Sequence, residues 1–444
     1  MQNDAVIVGL DIGTTKVCAI VGKRNEFGKI EVLGMGKAES LGVIRGEVRN
    51  IDKTVKSINE AIERAKQSMQ KTNNIGLEIV KVHVGIAGQH IKSLQHRNSI
   101  SRINNDDEIS YDDVDRLIKD TINLALPPGD KIIHVLPQEY SVDDFADVVD
   151  PVGMAGIRLS CNFHIITGNV DAIKNIFKCV DRAGLDVAGL ILEPLSSADA
   201  VLTPEEMEAG VCLVDIGGGT TDVAIFKNGI IRHTAVIPFG GNIITEDIVE
   251  GCSVLRNQAE LLKVKFGSAL AEENKENEIV CIPGFHGRPA KEVSVRNLAN
   301  VIQARVEEIF EAVLYEIKSS GLERKLNAGI VITGGGSQLN HLDKLVEFVT
   351  GFDSRIGYAN EHLAKTKIEE IKSPMYATGV GLVLKGFRAL EDEENKGKIK
   401  TKIPELAETK SQESGIKLGG FLIDIVKKGK DWLYEKGDIE DFSS

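Results

Sequence analysis

The sequence lacks the features that mark a secreted protein, a membrane-spanning protein or a protein stabilised by bound zinc. Its six cysteines include no CxxC pair and most stand in apolar runs, so we expect buried, reduced thiols rather than disulfides or zinc ligands. No apolar stretch approaches the roughly 20 residues that a membrane-spanning helix needs. The chain begins with a strand-like run instead of a basic segment and cleavage site, which predicts a protein of the reducing cytoplasm.

A basic surface is missing as well. The formal net charge is −13, and general nucleic-acid binding needs a basic face, so the composition predicts no nucleic-acid partner. Charged residues make up 27% and hydrophobic residues 42% of the 444 residues, which is typical of globular proteins. A chain of this length suits two or more domains.

The most informative stretch is the glycine-rich segment 211–226, VCLVDIGGGTTDVAIF. Two apolar strands flank a turn region that contains Asp215, Gly217, Gly218, Gly219, Thr220 and Thr221. Three successive glycines remove every Cβ from the bend, so backbone N–H groups can converge on an anion such as phosphate. Asp215 would repel phosphate directly, so its expected role is to hold a water of a hydrated Mg²⁺. The alternative is a glycine-rich hairpin that binds no ligand.

A second copy of this pattern stands near the start of the chain. The segment AVIVGLDIGTTKVCAIVG places four residues in the same frame between two apolar strands: Asp11, Gly13, Thr14 and Thr15. Two such turns indicate an internal duplication, in which each half presents a phosphate-binding hairpin to a shared cleft. Lys16 follows the first turn, where it can pair with phosphate or belong to a solvated strand face.

Other patterns predict an α/β protein interrupted by an insertion. Strands are predicted at 30–37 and 43–48, and helices at 52–69, 111–124, 170–181, 193–202, 240–251, 258–270 and 375–390. Ser294 is expected to cap a further long helix. Between 80 and 167 the pattern changes to strands around one helix, which predicts a small inserted α+β unit. The glycines of the 375–390 helix predict tight packing across the two halves.

A third glycine run follows a buried strand and is expected to lead into a helix. It consists of Gly334, Gly335 and Gly336. These glycines let the backbone approach a flat group, with the N-terminus of the helix beside it.

The end of the chain differs from the rest in composition. Residues 391–418 are rich in charged and small polar residues, which predicts a flexible linker. The following segment 419–434 has six large apolar residues on one side at helical spacing: Phe421, Leu422, Ile425, Val426, Trp432 and Leu433. This amphipathic helix must bury that side against lipid, a partner protein or its own body. A single copy is expected to bind a membrane weakly, so stable attachment needs linked copies.

These features together resemble the actin/Hsp70/sugar-kinase superfamily and, within it, the bacterial FtsA family of cell division proteins. The narrower resemblance rests on HVLPQEYSVD and DPVGMAGIRL in the insertion, on GGNIITEDI and QAELLKVKFG, and on the tail. It implies an α/β, actin-like fold of duplicated ribonuclease-H-like domains with an inserted small α+β subdomain and a C-terminal amphipathic helix. The implied divisions are a first half (1–80 and 166–193), the insertion (81–165), a second half (194–240 and 294–390), a small outer subdomain (241–293), the linker (391–418) and the membrane-targeting helix (419–434).

The resemblance also implies a binding site for ATP and Mg²⁺ between the two phosphate loops, with the third glycine run as the adenosine loop. Asp11 and Asp215 would hold the Mg²⁺ through water. Glu193 is similar in placement to the glutamate that orients the attacking water in the related actin-like MreB, and the alternative is a carboxylate stabilised by a helix N-terminus. Glu246, Lys263 and Lys265 would lie where relatives contact nucleotide and the C-terminal peptide of FtsZ, although they can also be surface charges.

The implied function is an ATP-binding protein with weak ATPase activity that forms filaments with itself on the inner face of the cytoplasmic membrane. It would bind membrane lipids, anchor the FtsZ ring at the septum and help recruit other divisome proteins. The alternatives are a small-molecule kinase, a pilus-assembly scaffold similar to PilM, and an Hsp70-type chaperone. The insertion offers no obvious sugar pocket, and no β-rich peptide-binding domain follows residue 390. The terminal helix is not expected in PilM.

Overall fold

The computed structural model describes residues 5–73, 75–102, 108–284 and 289–400. The first half begins with β1 (Val6–Ile12), β2 (Lys16–Arg24), β3 (Ile30–Glu39), β4 (Val43–Ile44), β5 (Glu47–Val48), α1 (Ile51–Asn73) and β6 (Lys81–Ile86). The insertion contains β7 (Lys92–Ser101), α2 (Tyr111–Ile122), β8 (Asp130–Val142), β9 (Phe145–Val148) and β10 (Arg158–Asn169). The first half then resumes with α3 (Val170–Arg182), β11 (Asp186–Leu192) and α4 (Glu193–Val201).

The second half follows directly. It consists of α5 (Pro204–Ala209), β12 (Val211–Ile216), β13 (Thr221–Lys227), β14 (Ile230–Ile237), α6 (Gly241–Cys252), α7 (Arg256–Phe266), β15 (Ile279–Ile282), β16 (Lys291–Ser294), α8 (Val295–Ser319), β17 (Ile330–Thr333), α9 (Leu342–Thr350), β18 (Ser354–Ile356) and α10 (Ala377–Lys400). Ser294 caps α8 as expected, since its side chain accepts a hydrogen bond from the Asn297 N–H.

Two five-stranded sheets share one topology. In the first, β3, β2 and β1 form an antiparallel meander, and β6 and β11 extend it in parallel from β1. In the second, β14, β13 and β12 form the meander, and β17 and β18 extend it in parallel. Equivalent positions pair before each turn, with Asp11 opposite Cys18 and Asp215 opposite Asp222. The internal duplication predicted from the two glycine turns is therefore confirmed.

The insertion forms its own antiparallel sheet, in the order β7-β10-β8-β9, with α2 against it and a separate apolar core. It also reaches the second half. The Gln138 side chain donates to the Ile231 carbonyl at 2.7 Å, and Ser93 donates to the Thr234 carbonyl at 3.0 Å. Both carbonyls belong to the edge strand β14, so the insertion bridges the two halves.

Helix α10 follows the second half in sequence but packs on the sheet of the first. A Cβ on Gly9 of β1 would stand 2.8 Å from the Gly379 carbonyl oxygen, and a Cβ on Gly386 would stand 2.4 Å from Ile7 Cγ2. Such approaches are open only to glycine. The predicted packing of this helix across the two halves is confirmed.

Two local predictions differ from the structure. The helix predicted to end at 390 continues to Lys400, because Arg24 pairs with Glu391 and Asp392 is buried. The segment 43–48 forms the two-strand hairpin β4–β5 rather than one strand. The remainder of the predicted linker and the predicted helix at 419–434 lie outside the described residues.

The cysteines are all free, and five of the six are buried, as expected, whereas Cys281 is exposed. Within the described ranges, none of the helices combines the length and apolar character that crossing a bilayer requires.

Candidate functional site

The turns of the two duplicated hairpins lie in direct contact. A Cβ on Gly218 would stand 2.3 Å from Thr15 Cγ2, and a Cβ on Gly219 would stand 2.7 Å from Thr14 Oγ1. Only glycine lets the backbone of the second turn come this close to the first. The fold therefore brings together two turns that are about 200 residues apart in sequence.

Lys16 is a buried, paired cation at the first hairpin. Its Nζ lies 3.3 Å from Asp11 Oδ2, and the two side chains are 18% and 5% exposed. The centre of the Tyr376 ring lies 5.9 Å from the same Nζ. Burial by itself lowers the pKa of Lys16, but the charges of Asp11 and Asp215 outweigh burial and leave that pKa raised. Lys16 is thus charged and does not belong to a solvated strand face.

Asp215 ends the equivalent strand of the second hairpin and is held by two hydroxyls. Ser197 Oγ donates to Asp215 Oδ2 at 2.6 Å, and Thr378 Oγ1 donates to the same oxygen at 3.2 Å. Burial raises the pKa of Asp215, while both hydrogen bonds and the charge of Lys16 oppose this rise. The two halves therefore each contribute a buried aspartate, one paired with a lysine and the other with hydroxyls.

Glu193 joins these aspartates as the first residue of α4. A Cβ on Gly85 of β6 would stand 2.9 Å from Glu193 Cγ, so the glycine makes room for the glutamate side chain. Burial raises the pKa of Glu193 well above its ordinary value, and the charges of Asp11, Asp222 and Asp215 raise it further. The sequence predicted a glutamate at a helix N-terminus, and the structure adds three neighbouring carboxyl groups.

Asp222 is a site residue that the sequence analysis missed. Its Oδ2 accepts a hydrogen bond from Thr220 Oγ1 at 3.2 Å, and its buried Oδ1 has no partner among the described residues. Burial and the charge of Asp215 raise the pKa of Asp222 to about 8. The signal was available, because Asp222 closes the same DIGGGTTD motif and faces Asp215 across the hairpin.

The raised pKa of Asp222 predicts a pH dependence of stability. Its pKa in the folded state is about 8, against an ordinary value of 3.8, so the folded protein binds more protons than the unfolded chain between these values. The free energy of unfolding of the ligand-free protein should therefore fall as the pH rises from about 4 to 8, by at most about 1.4 kcal/mol per pH unit for one group. In Asp222→Asn, which keeps an acceptor for Thr220, urea unfolding should show a shallower fall.

The exposed Asp144 provides the control for this prediction, because Asp144→Asn removes a carboxyl group from the insertion. This variant should keep the pH profile of the parent. Equal pH slopes in the parent and in Asp222→Asn would show that Asp222 does not hold a proton in the folded protein.

The third glycine run packs against the second hairpin. Gly334 has φ +84°, and a Cβ there would stand 2.3 Å from Asp215 Oδ1. A Cβ on Gly336 would stand 2.3 Å from Ile216 Cγ2. These two glycines are therefore required by the close approach to β12. The helix expected after the run is α9, but it begins only at Leu342, because Gly335–Gln338 first form a single 3₁₀ turn.

Helix α6 begins at the second glycine turn. The Gly241 N–H donates to the Gly217 carbonyl at 2.9 Å, and the Asn242 N–H donates to the Gly218 carbonyl at 2.8 Å. Lys263 of α7 is half-buried, and its Nζ donates to the Gly241 carbonyl at 2.8 Å. Lys263 thus links α7 to the start of α6.

The other two predicted residues of this region lie on the surface. Glu246 is exposed and forms an ion pair with Arg256 at 3.1 Å. Lys265 is exposed on α7. Of the three predicted residues, only Lys263 is therefore half-buried near the second glycine turn, whereas Glu246 and Lys265 are surface charges.

The β4–β5 hairpin lies over the first turn, which the sequence analysis did not anticipate. The Gly46 N–H donates to Thr14 Oγ1 at 3.0 Å, and a Cβ on Gly219 would stand 3.0 Å from Arg45 Cα. Arg45 and Gly46 have φ values of 50° and 76°, as a two-residue turn with two positive φ angles requires. The available signal was a glycine between two short apolar runs.

Comparison with known protein families gives two matches. A family model described as "Cell division protein FtsA" matches residues 212–381, which contain the second hairpin and the third glycine run. A model described as "SHS2 domain inserted in FTSA" matches residues 88–167, which coincide with most of the insertion.

Curated relatives are similar over most of the chain. The cell division protein FtsA of Pseudomonas aeruginosa is 41% identical over 392 residues, which cover 88% of this chain and 92% of the relative. FtsA of Neisseria meningitidis is 39% identical over 86% of this chain and 90% of the relative. FtsA of Escherichia coli is 35% identical over 85% of this chain and 89% of the relative.

Solved structures with low sequence identity share the fold. A PilM–PilN type IV pilus biogenesis complex matches with a TM-score of 0.62 and 14% identity, over 86% of this chain and 98% of the matched chain. MreB5 of Spiroplasma citri bound to ADP matches with a TM-score of 0.51 and 15% identity, over 89% of this chain and 99% of the matched chain. The same protein bound to AMPPNP matches with a TM-score of 0.50.

Proposed function

Because the chain belongs to the FtsA family of cell division proteins, we propose that it is an ATP-binding scaffold that polymerises at the inner face of the cytoplasmic membrane and anchors the FtsZ ring there. The observation that carries this proposal is the contact between the two duplicated glycine turns beside four carboxyl groups. Membership of the FtsA family favours it over the kinase, pilus-assembly and chaperone alternatives.

ATP with Mg²⁺ is the proposed ligand. The turns at 13–16 and 217–221 would hold the phosphates through backbone N–H groups and Lys16, and the run 334–336 would border the adenosine. The carboxyl groups of this site outnumber its lysine, and the pKa values of Glu193, Asp215 and Asp222 are raised, which supports a site for a cation. Mg²⁺ keeps several of its waters and shares phosphate oxygens, so Asp11 and Asp215 would hold it through water. The bound ion would shield the phosphates from the carboxylates. The matched MreB5 structures, bound to ADP and AMPPNP, are consistent with this ligand class.

Glu193 is the proposed base for weak ATP hydrolysis. A general base must be deprotonated and within hydrogen-bond reach of the attacking water. Burial and the three neighbouring carboxyl groups raise the pKa of Glu193 in the ligand-free protein. A bound cation would offset this negative charge and so favour the deprotonated glutamate that a base requires.

The outer subdomain 241–293 is the proposed contact for the C-terminal peptide of FtsZ. Leu261 and Val264 of α7 expose 55% and 72% of their surface, and Leu255, directly before the helix, exposes 48%. Exposed apolar side chains close to the charged Lys265 fit an extended peptide that carries apolar residues. Further copies of this chain and later divisome proteins would occupy other surfaces.

The segment 419–434 is the proposed lipid contact and would place the protein at the division septum as a peripheral membrane protein. At helical spacing, its apolar side would present Phe421, Leu422, Ile425, Val426, Trp432 and Leu433. Each helix would bind weakly, and filament formation would link many copies along the membrane.

Electron microscopy on a monolayer of anionic lipid tests this proposal. The full chain should form filaments on the lipid when ATP and Mg²⁺ are present, and a variant without residues 419–444 should leave the lipid bare and fail to sediment with anionic vesicles. A variant without 435–444 is the matched control, because it loses the acidic end but keeps the amphipathic segment. Unchanged vesicle binding without 419–444 would refute the anchor, and identical filaments without ATP would refute nucleotide-dependent assembly.

A further inference from the structure

Two hydroxyls from two different helices converge on one oxygen of Asp215. Ser197 in α4 donates to Oδ2 at 2.6 Å, and Thr378 in the first turn of α10 donates at 3.2 Å. The two hydroxyl oxygens are 3.0 Å apart. Ser197 is fully buried and Thr378 is 8% exposed, so water does not compete freely for these hydrogen bonds. We call this arrangement the hydroxyl clamp.

The clamp donates hydrogen bonds to one carboxylate oxygen of Asp215, Oδ2, and none to the other, Oδ1. Asp215 Oδ1 lies on the side of Gly334, where a Cβ would stand 2.3 Å from it. Among the described residues, no hydrogen-bond donor is found for Oδ1. A carboxylate with one oxygen fixed by two donors cannot rotate freely, so the direction of the second oxygen is set.

Neither hydroxyl belongs to the glycine turns that carry the resemblance to nucleotide-binding proteins. Their convergence depends on close packing of α4 and α10, where a Cβ on Gly381 would stand 1.9 Å from the Ser196 carbonyl oxygen. Two buried hydroxyls aimed at one carboxylate oxygen therefore come from the approach of two helices to the end of β12.

We infer that Ser197 and Thr378 are positioning residues, which orient Asp215 so that its Oδ1 faces the hydrated cation of bound ATP. This inference rests on the proposed ATP site. It adds to that site two residues that lie outside its three glycine runs. Loss of a clamp hydroxyl should weaken binding of the cation complex, whereas binding of free ATP, which makes no use of an oriented Asp215, should change little.

Fluorescence titration with a labelled ATP analogue, once with Mg²⁺ and once with a chelator, tests this inference. Ser197→Ala and Thr378→Val should each weaken binding about tenfold or more with Mg²⁺, as expected for a hydrogen bond to a charged group. Without Mg²⁺ they should change it less than about twofold. Thr378→Ser should restore binding with Mg²⁺, because it returns the hydroxyl.

Thr121→Val is the matched control. Thr121 is a buried threonine in the insertion whose hydroxyl bonds within α2 and to Asn98. This variant should bind like the parent. Melting temperatures without ligand establish that each variant is folded, and Ser197→Ala tests the clamp independently if Thr378→Val does not fold.

The outcomes separate the inference from the proposed function. A parent protein that binds the analogue equally with and without Mg²⁺, or not at all, would overturn the proposed site and the clamp with it. A parent with Mg²⁺-dependent binding and variants that weaken equally under both conditions would overturn only the clamp, and would assign the hydroxyls a structural role. Clamp variants that bind the analogue with Mg²⁺ as tightly as the parent would also overturn the clamp.

Discussion

Replacing Asp215 by alanine should remove most of the rise in melting temperature that ATP and Mg²⁺ give the full-length protein. Asp215 is 8% exposed and lies at the contact between the third glycine run and the second hairpin. At about 100 times its dissociation constant, a ligand stabilises the native state by about 2.7 kcal/mol. Without Asp215 the hydrated cation loses one of its two proposed holders, and the phosphates then face the remaining carboxyl groups with less shielding. Most of this stabilisation should therefore disappear.

A second variant separates this effect from a loss of structure. Alanine leaves the hydroxyls of Ser197 and Thr378 without their carboxylate acceptor, which costs about 1–3 kcal/mol. Asp215→Asn keeps an acceptor oxygen and removes the charge. In thermal unfolding, both variants should lose the shift with ATP and Mg²⁺, and Asp215→Ala should also melt earlier without ligand. A normal shift in Asp215→Asn would show that the cation does not depend on this carboxylate.

Replacing Gly381 by alanine adds only a methyl group but should lower the free energy of unfolding substantially. The added Cβ would stand 1.9 Å from the Ser196 carbonyl oxygen and 2.3 Å from its carbonyl carbon, and backbone atoms cannot rotate away as a side chain can. Overpacking of this kind typically costs about 1–3 kcal/mol and sometimes more. Alanine recovers up to about 1 kcal/mol because it favours the helix, so the net effect remains destabilising.

Denaturant unfolding measures this loss, and Gly76→Ala provides the control. Gly76 has no neighbouring atom within 4 Å of an added Cβ and no positive φ. The control should change the free energy of unfolding by less than about 0.5 kcal/mol. Gly381→Ala should also bind ATP with Mg²⁺ more weakly, since α10 must move away from α4 and carries Thr378 with it. A Gly381→Ala protein as stable as the parent would show that the two helices are not packed this closely.

Local patterns allowed much of the fold to be predicted. Apolar spacing located α1, α3 and α8, and the side chain of Ser294 caps α8 as its position predicted. The two glycine turns predicted duplicated halves, and the sheets repeat one topology. The same reasoning was wrong where distant residues decide the outcome. The charged residues after 390 indicated a linker, but α10 continues because Glu391 pairs with Arg24, which lies in the first sheet.

By itself, the sequence determined which residues can form hairpins, caps and amphipathic helices, because these depend on neighbours within a few positions. Only the tertiary structure decided which side chains share the site. Thr378 stands 163 positions from Asp215, and nothing in its local sequence distinguishes it from any other threonine at the start of a helix. The raised pKa values of Asp222 and Glu193 were also decided there, because a pKa depends on burial and on charges that several separate elements bring together.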